Sequence, residues 1–216
     1  MNVAAHPSFA RPLAVAVAVL LAASLAGAVR AGQAPARSPC GTVLLKGSNW
    51  LGGQGVDVLS NGAHQGSGRV CSKALSTVNG ITAGERWQCV ELVNRLYLTR
   101  GWIRSTWIGN GGRLFASAPS NLTKQANGSI TSVSPGDVLS ISIRRQGKKA
   151  RYGHAAIVDT TGTVSSGTIP LVNQNGGGRS GAVVISYATL AGGRLTIAGG
   201  DGWSYTVVGV VHAPRS

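Results

Sequence analysis

The apolar positions between residues 88 and 99 recur with a helical period. Val90, Val93 and Tyr97 form one apolar stripe, and Cys89, Leu92 and Leu96 lie beside it. Apolar residues three and four positions apart lie on one face of a helix. Gly101 follows Arg100, and a glycine just past a basic last turn is typical of a helix C-terminus. The pattern therefore predicts a helix over 88–99.

The start of this helix has two candidates. Thr82 and Glu85 have the spacing of a capping box, which would begin the helix near residue 83. A start near Gln88 would instead place Cys89 in the first turn. The hydrophobic pattern alone leaves both starts open.

From residue 137 onward the apolar positions alternate with polar ones over short runs, separated by turn-forming clusters. The runs are 137–144, 154–160, 169–175, 182–187, 194–198 and 205–213. Alternation with period two, bounded by turn signals, predicts β-strands. Six strands after one helix predict an α+β domain built on one antiparallel sheet.

The first 31 residues have the pattern of a secretory signal peptide. Arg11 precedes an apolar run from Leu13 to Val29, and small residues follow it. The run is short for a full membrane span, although an uncleaved anchor is the alternative. Either interpretation predicts export, to the outside of the cell or its envelope. We expect a linker and Gly/Asn-rich segment over 32–70 and the main folded domain over 71–216.

The charge of the chain is strongly positive, with 20 basic and 6 acidic residues. Such an excess indicates an anionic partner or surface. For an exported protein the candidates are cell-wall polymers, anionic lipid and extracellular nucleic acid. The sequence carries no signature of a common nucleic-acid-binding fold, so we do not expect nucleic acid. Wall polymers remain the favoured partner, and we expect a monomer.

The chain has only three cysteines, Cys40, Cys71 and Cys89. Exported proteins live under oxidising conditions, in which paired cysteines form disulfides. We predict a bridge between Cys40 and Cys71, which would close a loop worth about 3–4 kcal/mol in the chain-entropy account. That pairing leaves Cys89 unpaired. An odd cysteine in a secreted chain suggests a reactive thiol or an intermolecular bridge.

Metal chemistry is not expected from this sequence. Neither the histidines nor the cysteines have the spacing of metal ligands. We therefore predict no metal and no cofactor.

Cys89 is a candidate nucleophile. The start of a helix provides partial positive charge and free N–H groups, which stabilise a thiolate and can hold an oxyanion. The alternative is a buried cysteine that acts as a small hydrophobic residue.

His154 opens an apolar strand after Gly153 and is a candidate base. The segment "LVNQN" offers Asn173 and Asn175 on one strand face and Gln174 on the other, and an amide can orient a histidine.

Four segments in order, "WQCVELVNRLY", "SPGDVLSI", "YGHAAIV" and "LVNQN", resemble the CHAP family of cysteine, histidine-dependent amidohydrolases and peptidases. The resemblance covers roughly residues 71–213. It implies a papain-like α+β fold, in which an N-terminal helix carrying the cysteine packs on an antiparallel sheet carrying the histidine. It also implies cleavage of amide bonds, usually in bacterial peptidoglycan, whereas some members hydrolyse glutathionylspermidine.

Carried over residue by residue, the resemblance makes Cys89 the nucleophile and His154 the general base. Asn173 stands where many members have Glu in an "E-x-N" pattern, and Asn175 matches its final Asn. Gln88 is expected to support the oxyanion. Asp137 of "PGD" matches a recurrent position that we interpret as turn chemistry.

The expected function is therefore that of an exported thiol hydrolase of peptidoglycan, either an endopeptidase or an amidase. One alternative is an amidase acting on a small conjugate such as glutathionylspermidine. Another is a wall-binding module without catalysis, in which tryptophans would stack on sugars. Trp50, Trp102, Trp107 and Trp203 are the candidates for stacking, although core packing is favoured for them.

A basic segment, residues 144–151, directly precedes His154. Arg144 and Arg145 begin it, and Lys148, Lys149 and Arg151 complete its charge. We expect it at the rim of the cleft, where Arg144 and Arg145 would bind anionic substrate groups. Its positive field is also expected to lower the pKa of His154 and favour the Cys89 thiolate.

Overall fold

The structure is a computed structural model and describes residues 38–62, 71, 74–160, 167–176, 184–200 and 202–215. The predicted signal peptide and the start of the linker lie outside these residues. In the described part of the chain, no helix has the length and apolarity that a membrane crossing requires.

The described chain contains one α-helix, α1, over Cys89–Thr99, with three short 3₁₀ turns at Gly47–Asn49, Leu51–Gly53 and Gly111–Arg113. Twelve strands accompany it. They are β1 Val43–Leu45, β2 Val58–Leu59, β3 Leu75–Val78, β4 Ile81–Glu85, β5 Lys124–Ala126, β6 Val138–Arg145, β7 Lys148–Lys149, β8 His154–Val158, β9 Ile169–Val172, β10 Ile185–Ala191, β11 Arg194–Ile197 and β12 Trp203–Val211.

Helix α1 begins at the later of the two predicted starts. Gln88 is its N-cap, with extended backbone angles, and Cys89 is its first helical residue. The capping-box start was wrong, because Thr82 and Glu85 lie in strand β4 and pair with β3.

The helix ends in a Schellman motif. Gly101 adopts φ +67°, and its N–H donates to the carbonyl of Leu98 while Trp102 N–H donates to that of Tyr97. These bonds satisfy two carbonyls at the end of the helix. The predicted stop at Gly101 is confirmed.

The main sheet is antiparallel and has the order β11-β10-β9-β8-β6-β12-β5, with β7 paired to the end of β6. All six predicted strands are present in it. The prediction of an α+β domain on an antiparallel sheet is confirmed at this level. The sequence pattern missed β5, β7 and the two small pairs β1–β2 and β3–β4, because strands of two to five residues are too short to show alternation.

Apolar side chains on the two faces of the sheet form two cores. The first core lies between α1 and the sheet and contains Leu92, Leu96, Ile157 and Val172. The second core lies on the opposite face, where Leu139 and Leu171 pack against β10 and β11. Strand β8 contributes to both cores because successive side chains point to opposite faces.

The N-terminal segment packs into the first core. Trp50 and Val58 are buried there with residues of α1. The disulfide between Cys40 and Cys71 is present, as predicted, and ties this segment together beside β1 and β2. The domain boundaries at 31 and 70 stay predictions, but the core that α1 shares includes residues before 70.

Strand β9 is shorter than predicted. The expected strand ran to residue 175, whereas the pairing with β8 and β10 ends at Val172. Beyond it, Asn173 N–H still donates to the Val184 carbonyl at 2.7 Å, and Asn175 has a left-handed φ of 53°. Their side chains are engaged with other parts of the chain, which determines the geometry of the site.

Candidate active site

Cys89 lies at the N-terminus of α1 and is the free cysteine of the three. It is partly exposed. The first N–H groups of a helix have no carbonyl partner within the helix, and the helix dipole is positive at this end. The thiol therefore lies where negative charge is stabilised.

The sulfur occupies the place where strands β8 and β9 diverge. The two strands pair only at Ile157 and Val158, so the earlier part of β8 has an open edge towards β9. The backbone N–H of Ala155 on β8 and that of Val90 on α1 lie close enough to the Cys89 sulfur to lower the pKa of the thiol. A sheet edge and a helix end thus contribute donors to one thiol.

His154 is the first residue of β8, opposite Ile141 of β6. Glycines make room for its backbone. A Cβ on Gly111 would overlap the backbone of His154, and a Cβ on Gly153 would lie 2.6 Å from the Cα of Gly112. The segment 110–112 therefore lies directly against the start of β8, and Gly112 N–H donates to the Tyr152 carbonyl at 3.0 Å.

Asn173 contacts the imidazole of His154. Its Oδ1 lies 3.0 Å from His154 Nε2. Its Nδ2 donates to the carbonyls of Leu171 and Val184 and to Ser186 Oγ, at 3.2, 3.4 and 2.8 Å. These acceptors fix the amide with its oxygen towards the histidine. His154 Nε2 must then carry the proton, which leaves Nδ1 to face Cys89.

Cys89 and His154 influence each other's protonation. Burial alone would raise the pKa of the Cys89 thiol, but the charge and hydrogen bond of His154, with the N–H groups of Ala155 and Val90, lower the pKa overall. Burial would lower the pKa of His154, but the Cys89 charge and hydrogen bond, with the bond to Asn173, raise this pKa overall. Both shifts favour a thiolate–imidazolium pair.

The basic segment was expected to lower the pKa of His154. The pKa of His154 is instead raised overall, because the charge and hydrogen bond of Cys89 and the bond to Asn173 outweigh the effect of burial. Arg144 and Arg145 end β6, three and four residues beyond the partner of His154. At about 3.4 Å per residue, Arg144 lies on the order of 10 Å along the strand from that position.

Gln88 and Asn175 form a second contact between the helix start and the end of β9. Asn175 Nδ2 donates to Gln88 Oε1 at 2.6 Å. This bond occupies the oxygen of the Gln88 amide, so its Nε2 is the end that can donate elsewhere. Asn175 therefore contacts Gln88 and Asn173 contacts His154, although the two asparagines are only two residues apart.

Two buried polar residues at this junction were not singled out from the sequence as parts of the site. Gln174 and Glu91 are almost fully buried and bond to each other, with Gln174 Nε2 2.6 Å from Glu91 Oε2. Glu91 also accepts from Ser76 Oγ and forms an ion pair with Arg95 at 2.7 Å. The spacing of Glu91 and Arg95, four residues apart on a helix, was the one signal available.

The four tryptophans that were considered for stacking on sugars contact other side chains of the protein. Trp50 and Trp107 are buried, which confirms core packing for these two, while Trp102 lies edge-on to Tyr97 and Trp203 lies beneath Arg145. In the part of the chain that the structure describes, no group of three or more His, Cys, Asp or Glu side chains could hold a metal ion.

Residues 80–175 match the family model of the CHAP domain. The resemblance seen in the sequence is therefore confirmed over this stretch, which contains Cys89, His154 and Asn173. A CHAP domain implies a cysteine- and histidine-dependent amidohydrolase or peptidase, and such domains are often found in secreted proteins that act on the cell wall. The disulfide fits export. A search among curated proteins finds no match to this chain.

Proposed function

We propose that this protein is an exported thiol hydrolase that cleaves amide bonds in bacterial peptidoglycan, with Cys89 as nucleophile, His154 as general base and Asn173 as the residue that orients His154. The observation that carries the proposal is the 3.0 Å contact between His154 Nε2 and Asn173 Oδ1, together with a Cys89 close enough to His154 for the two groups to shift each other's pKa. The nucleophile, the base and the orienting amide thus lie next to one another in that sequence. The arrangement is that of a papain-like site, with the thiol on a helix and the base on a sheet.

The first half of the reaction forms an acyl enzyme. The Cys89 thiolate attacks the amide carbonyl carbon, and the carbonyl electrons move to its oxygen. The Cys89 N–H is available to hold that oxyanion, and Gln88 Nε2 is the second donor. The imidazolium of His154 then gives its proton to the amide nitrogen, the C–N bond breaks, and the amine leaves.

The second half releases the product. His154, now neutral, takes a proton from water, and the resulting hydroxide attacks the thioester carbon. The C–S bond breaks and returns the thiolate, which the imidazolium and the N–H groups of Ala155 and Val90 stabilise. The acyl group leaves as a carboxylic acid, which loses its proton to solvent and becomes a carboxylate. Asn173 holds Nε2–H throughout, so the same ring nitrogen of His154 handles the proton in both halves.

The choice of a wall substrate rests on charge and export. The chain carries a formal net charge of +14, and peptidoglycan stems and wall polymers carry carboxylates and phosphates. Arg144 and Arg145 at the end of β6 pair with Lys149 and Lys148 of β7, and these four exposed residues form what we call the basic hairpin. We propose that the basic hairpin binds anionic wall polymers.

Digestion of purified peptidoglycan tests this function. The wild-type protein is expected to release fragments in which mass spectrometry finds one new amine and one new carboxyl group per cleavage. The Cys89→Ala variant is expected to release none while it still sediments with walls. The position of the new termini distinguishes an endopeptidase from an amidase.

Two results would favour the alternatives. Cleavage of glutathionylspermidine with intact peptidoglycan would indicate a small-amide hydrolase. Sedimentation with walls but no cleavage of either substrate by the wild-type protein would indicate a binding module.

A further inference from the structure

Gln174 is a fully engaged amide at the centre of the site. Its side chain is 1% exposed, between Asn173 and Asn175 in the chain. Nε2 donates to the Gln88 carbonyl at 3.0 Å and to Glu91 Oε2 at 2.6 Å. Oε1 accepts from Leu59 N–H at 2.8 Å and from Arg95 Nη2 at 3.2 Å.

The orientation of this amide follows from its partners. The Gln88 carbonyl and the Glu91 carboxylate only accept hydrogen bonds, whereas a backbone N–H and a guanidinium only donate. Nitrogen and oxygen of Gln174 therefore cannot be exchanged without the loss of all four bonds. A buried amide with every bond made is rigid, since each alternative leaves polar groups without partners.

Two adjacent residues thus hold the base and the start of the helix that carries the nucleophile. Asn173 fixes the imidazole of His154, and Gln174 fixes the carbonyl of Gln88, the N-cap residue directly before Cys89. Because Asn173 and Gln174 share a peptide bond, the position of the base relative to the nucleophile depends on this dipeptide.

The same side chain reaches the N-terminal segment. Leu59 belongs to β2, which pairs with β1 beside the Cys40–Cys71 disulfide. Ser60, the next residue, exchanges backbone bonds with Gly41 and Thr42. The disulfide-closed segment is therefore bonded to the residue that holds the start of α1.

We propose that Gln174 is a positioning residue that sets the distance between Cys89 and His154, and that through Leu59 it makes the N-terminal hairpin β1–β2 part of the catalytic unit. Gln174 does not touch the substrate. The inference rests on the proposed function only for its effect on turnover, because its effect on the Cys89 thiol can be measured without any substrate.

Two substitutions distinguish the hydrogen bonds that the Gln174 amide donates from those that it accepts. Gln174→Met is similar in length and removes all four bonds. Gln174→Glu keeps an acceptor for Leu59 N–H and Arg95 but turns the donor towards Gln88 and Glu91 into an acceptor. Gln125→Met is the matched control, because Gln125 also bonds through its amide, to Thr131 and His212 on the far part of the sheet.

The primary measurement is the rate of Cys89 alkylation by iodoacetamide between about pH 5 and pH 9, a range that brackets ordinary His and Cys pKa values. We expect alkylation of Gln174→Met to fall about tenfold or more at about pH 6 and little at about pH 9, since one pKa unit changes the thiolate fraction tenfold. Gln174→Glu should show the same loss, and Gln125→Met should match the wild type.

Turnover and stability complete the test. Both Gln174 variants are expected to lower kcat about 10- to 100-fold, the scale of a displaced reacting group, with a smaller change in KM. A Gln174→Met protein that is folded by circular dichroism, yet has the alkylation profile of the wild type, would overturn the inference. Loss in Gln174→Met but not in Gln174→Glu would overturn the role of the Gln88 bond. If wild-type protein fails to cleave peptidoglycan, the proposed function fails while the alkylation profiles still decide the role of Gln174.

Discussion

Two histidines in this protein lie in superficially similar surroundings and are used differently. His212, after β12, has Nδ1 2.8 Å from Asp137 Oδ2 and Nε2 3.1 Å from Gln125 Oε1. His154, at the start of β8, has Nε2 3.0 Å from Asn173 Oδ1 and its other nitrogen towards Cys89. Each ring thus has a partner on both sides.

The difference lies in the chemistry of the second partner. Both nitrogens of His212 face fixed protein oxygens, so none is left for a substrate. One nitrogen of His154 faces a thiol, which can exchange a proton with it. Asp137 also accepts from Ser134 N–H and Ala213 N–H, so the carboxylate at His212 holds a turn and the C-terminal segment together. A hydrogen-bonded histidine indicates catalysis only when one of its partners can react.

The largest expected effect on turnover comes from removing the imidazole of His154, with removal of the His212 imidazole as the comparison. His154→Ala should lower turnover of peptidoglycan fragments by at least about 10³-fold, because the thiol loses its base. His212→Ala should leave kcat essentially unchanged and lower the free energy of unfolding by about 1–3 kcal/mol, because the buried Asp137 loses a partner. The measurements are kcat and urea denaturation. A folded His212→Ala protein with the kcat loss of His154→Ala would contradict the comparison.

Changing the orienting residue should have the next largest effect. Asn173→Ala is expected to lower kcat about 10- to 100-fold, since the ring loses the bond that fixes its tautomer. Asn173→Glu should retain substantial activity, because a carboxylate oxygen can accept from Nε2–H and many family members have Glu there. Asn175→Ala, which releases Gln88 rather than His154, is the control and should lower kcat less than Asn173→Ala does. The reverse order of the two alanine variants would show that Asn175 matters more.

The pH dependence sharpens the contrast between the two rings. The lowered pKa of Cys89 should keep iodoacetamide alkylation fast well below the ordinary thiol pKa of about 8.5. The raised pKa of His154 should place the alkaline limb of kcat/KM above the ordinary histidine value of about 6.5. Because the bond to Asn173 raises the pKa of His154, Asn173→Ala should move that limb to lower pH. An unchanged limb would mean that another group produces it.

The smallest effect on turnover is expected from the basic hairpin. Replacing Arg144, Arg145, Lys148 and Lys149 together with Gln should weaken sedimentation with intact walls and flatten its dependence on salt. Salt screens such charges over about 8–10 Å, whereas kcat on a small neutral amide should change little. Arg100→Gln and Arg104→Gln together are a control with exposed charges elsewhere. Equal wall affinity and salt dependence in the quadruple variant and the parent would remove the proposed role of the basic hairpin.

Local patterns in the sequence were sufficient for α1, for six strands of the main sheet and for three residues of the candidate site. The period of the apolar residues predicted α1 and six strands, because periodicity depends only on which face of an element is buried. Cys89 and His154 stood at the starts of such elements, and the family resemblance added Asn173. The Cys40–Cys71 pairing followed from the number of cysteines and the expected compartment.

Only the tertiary structure decided how these residues meet. The choice between two helix starts depended on β3 pairing with β4, a contact that no repeat within the helix reveals. The direction of the His154 pKa shift depended on contact with Cys89, 65 positions away in the numbering, rather than on the basic residues beside it in the chain. The sequence placed Gln174 on the opposite strand face from Asn173 and gave it no role, whereas folding surrounded it with Gln88, Glu91 and Leu59. Hydrogen bonds and charges act over a few ångströms in space, so residues distant in sequence determine what a site can do.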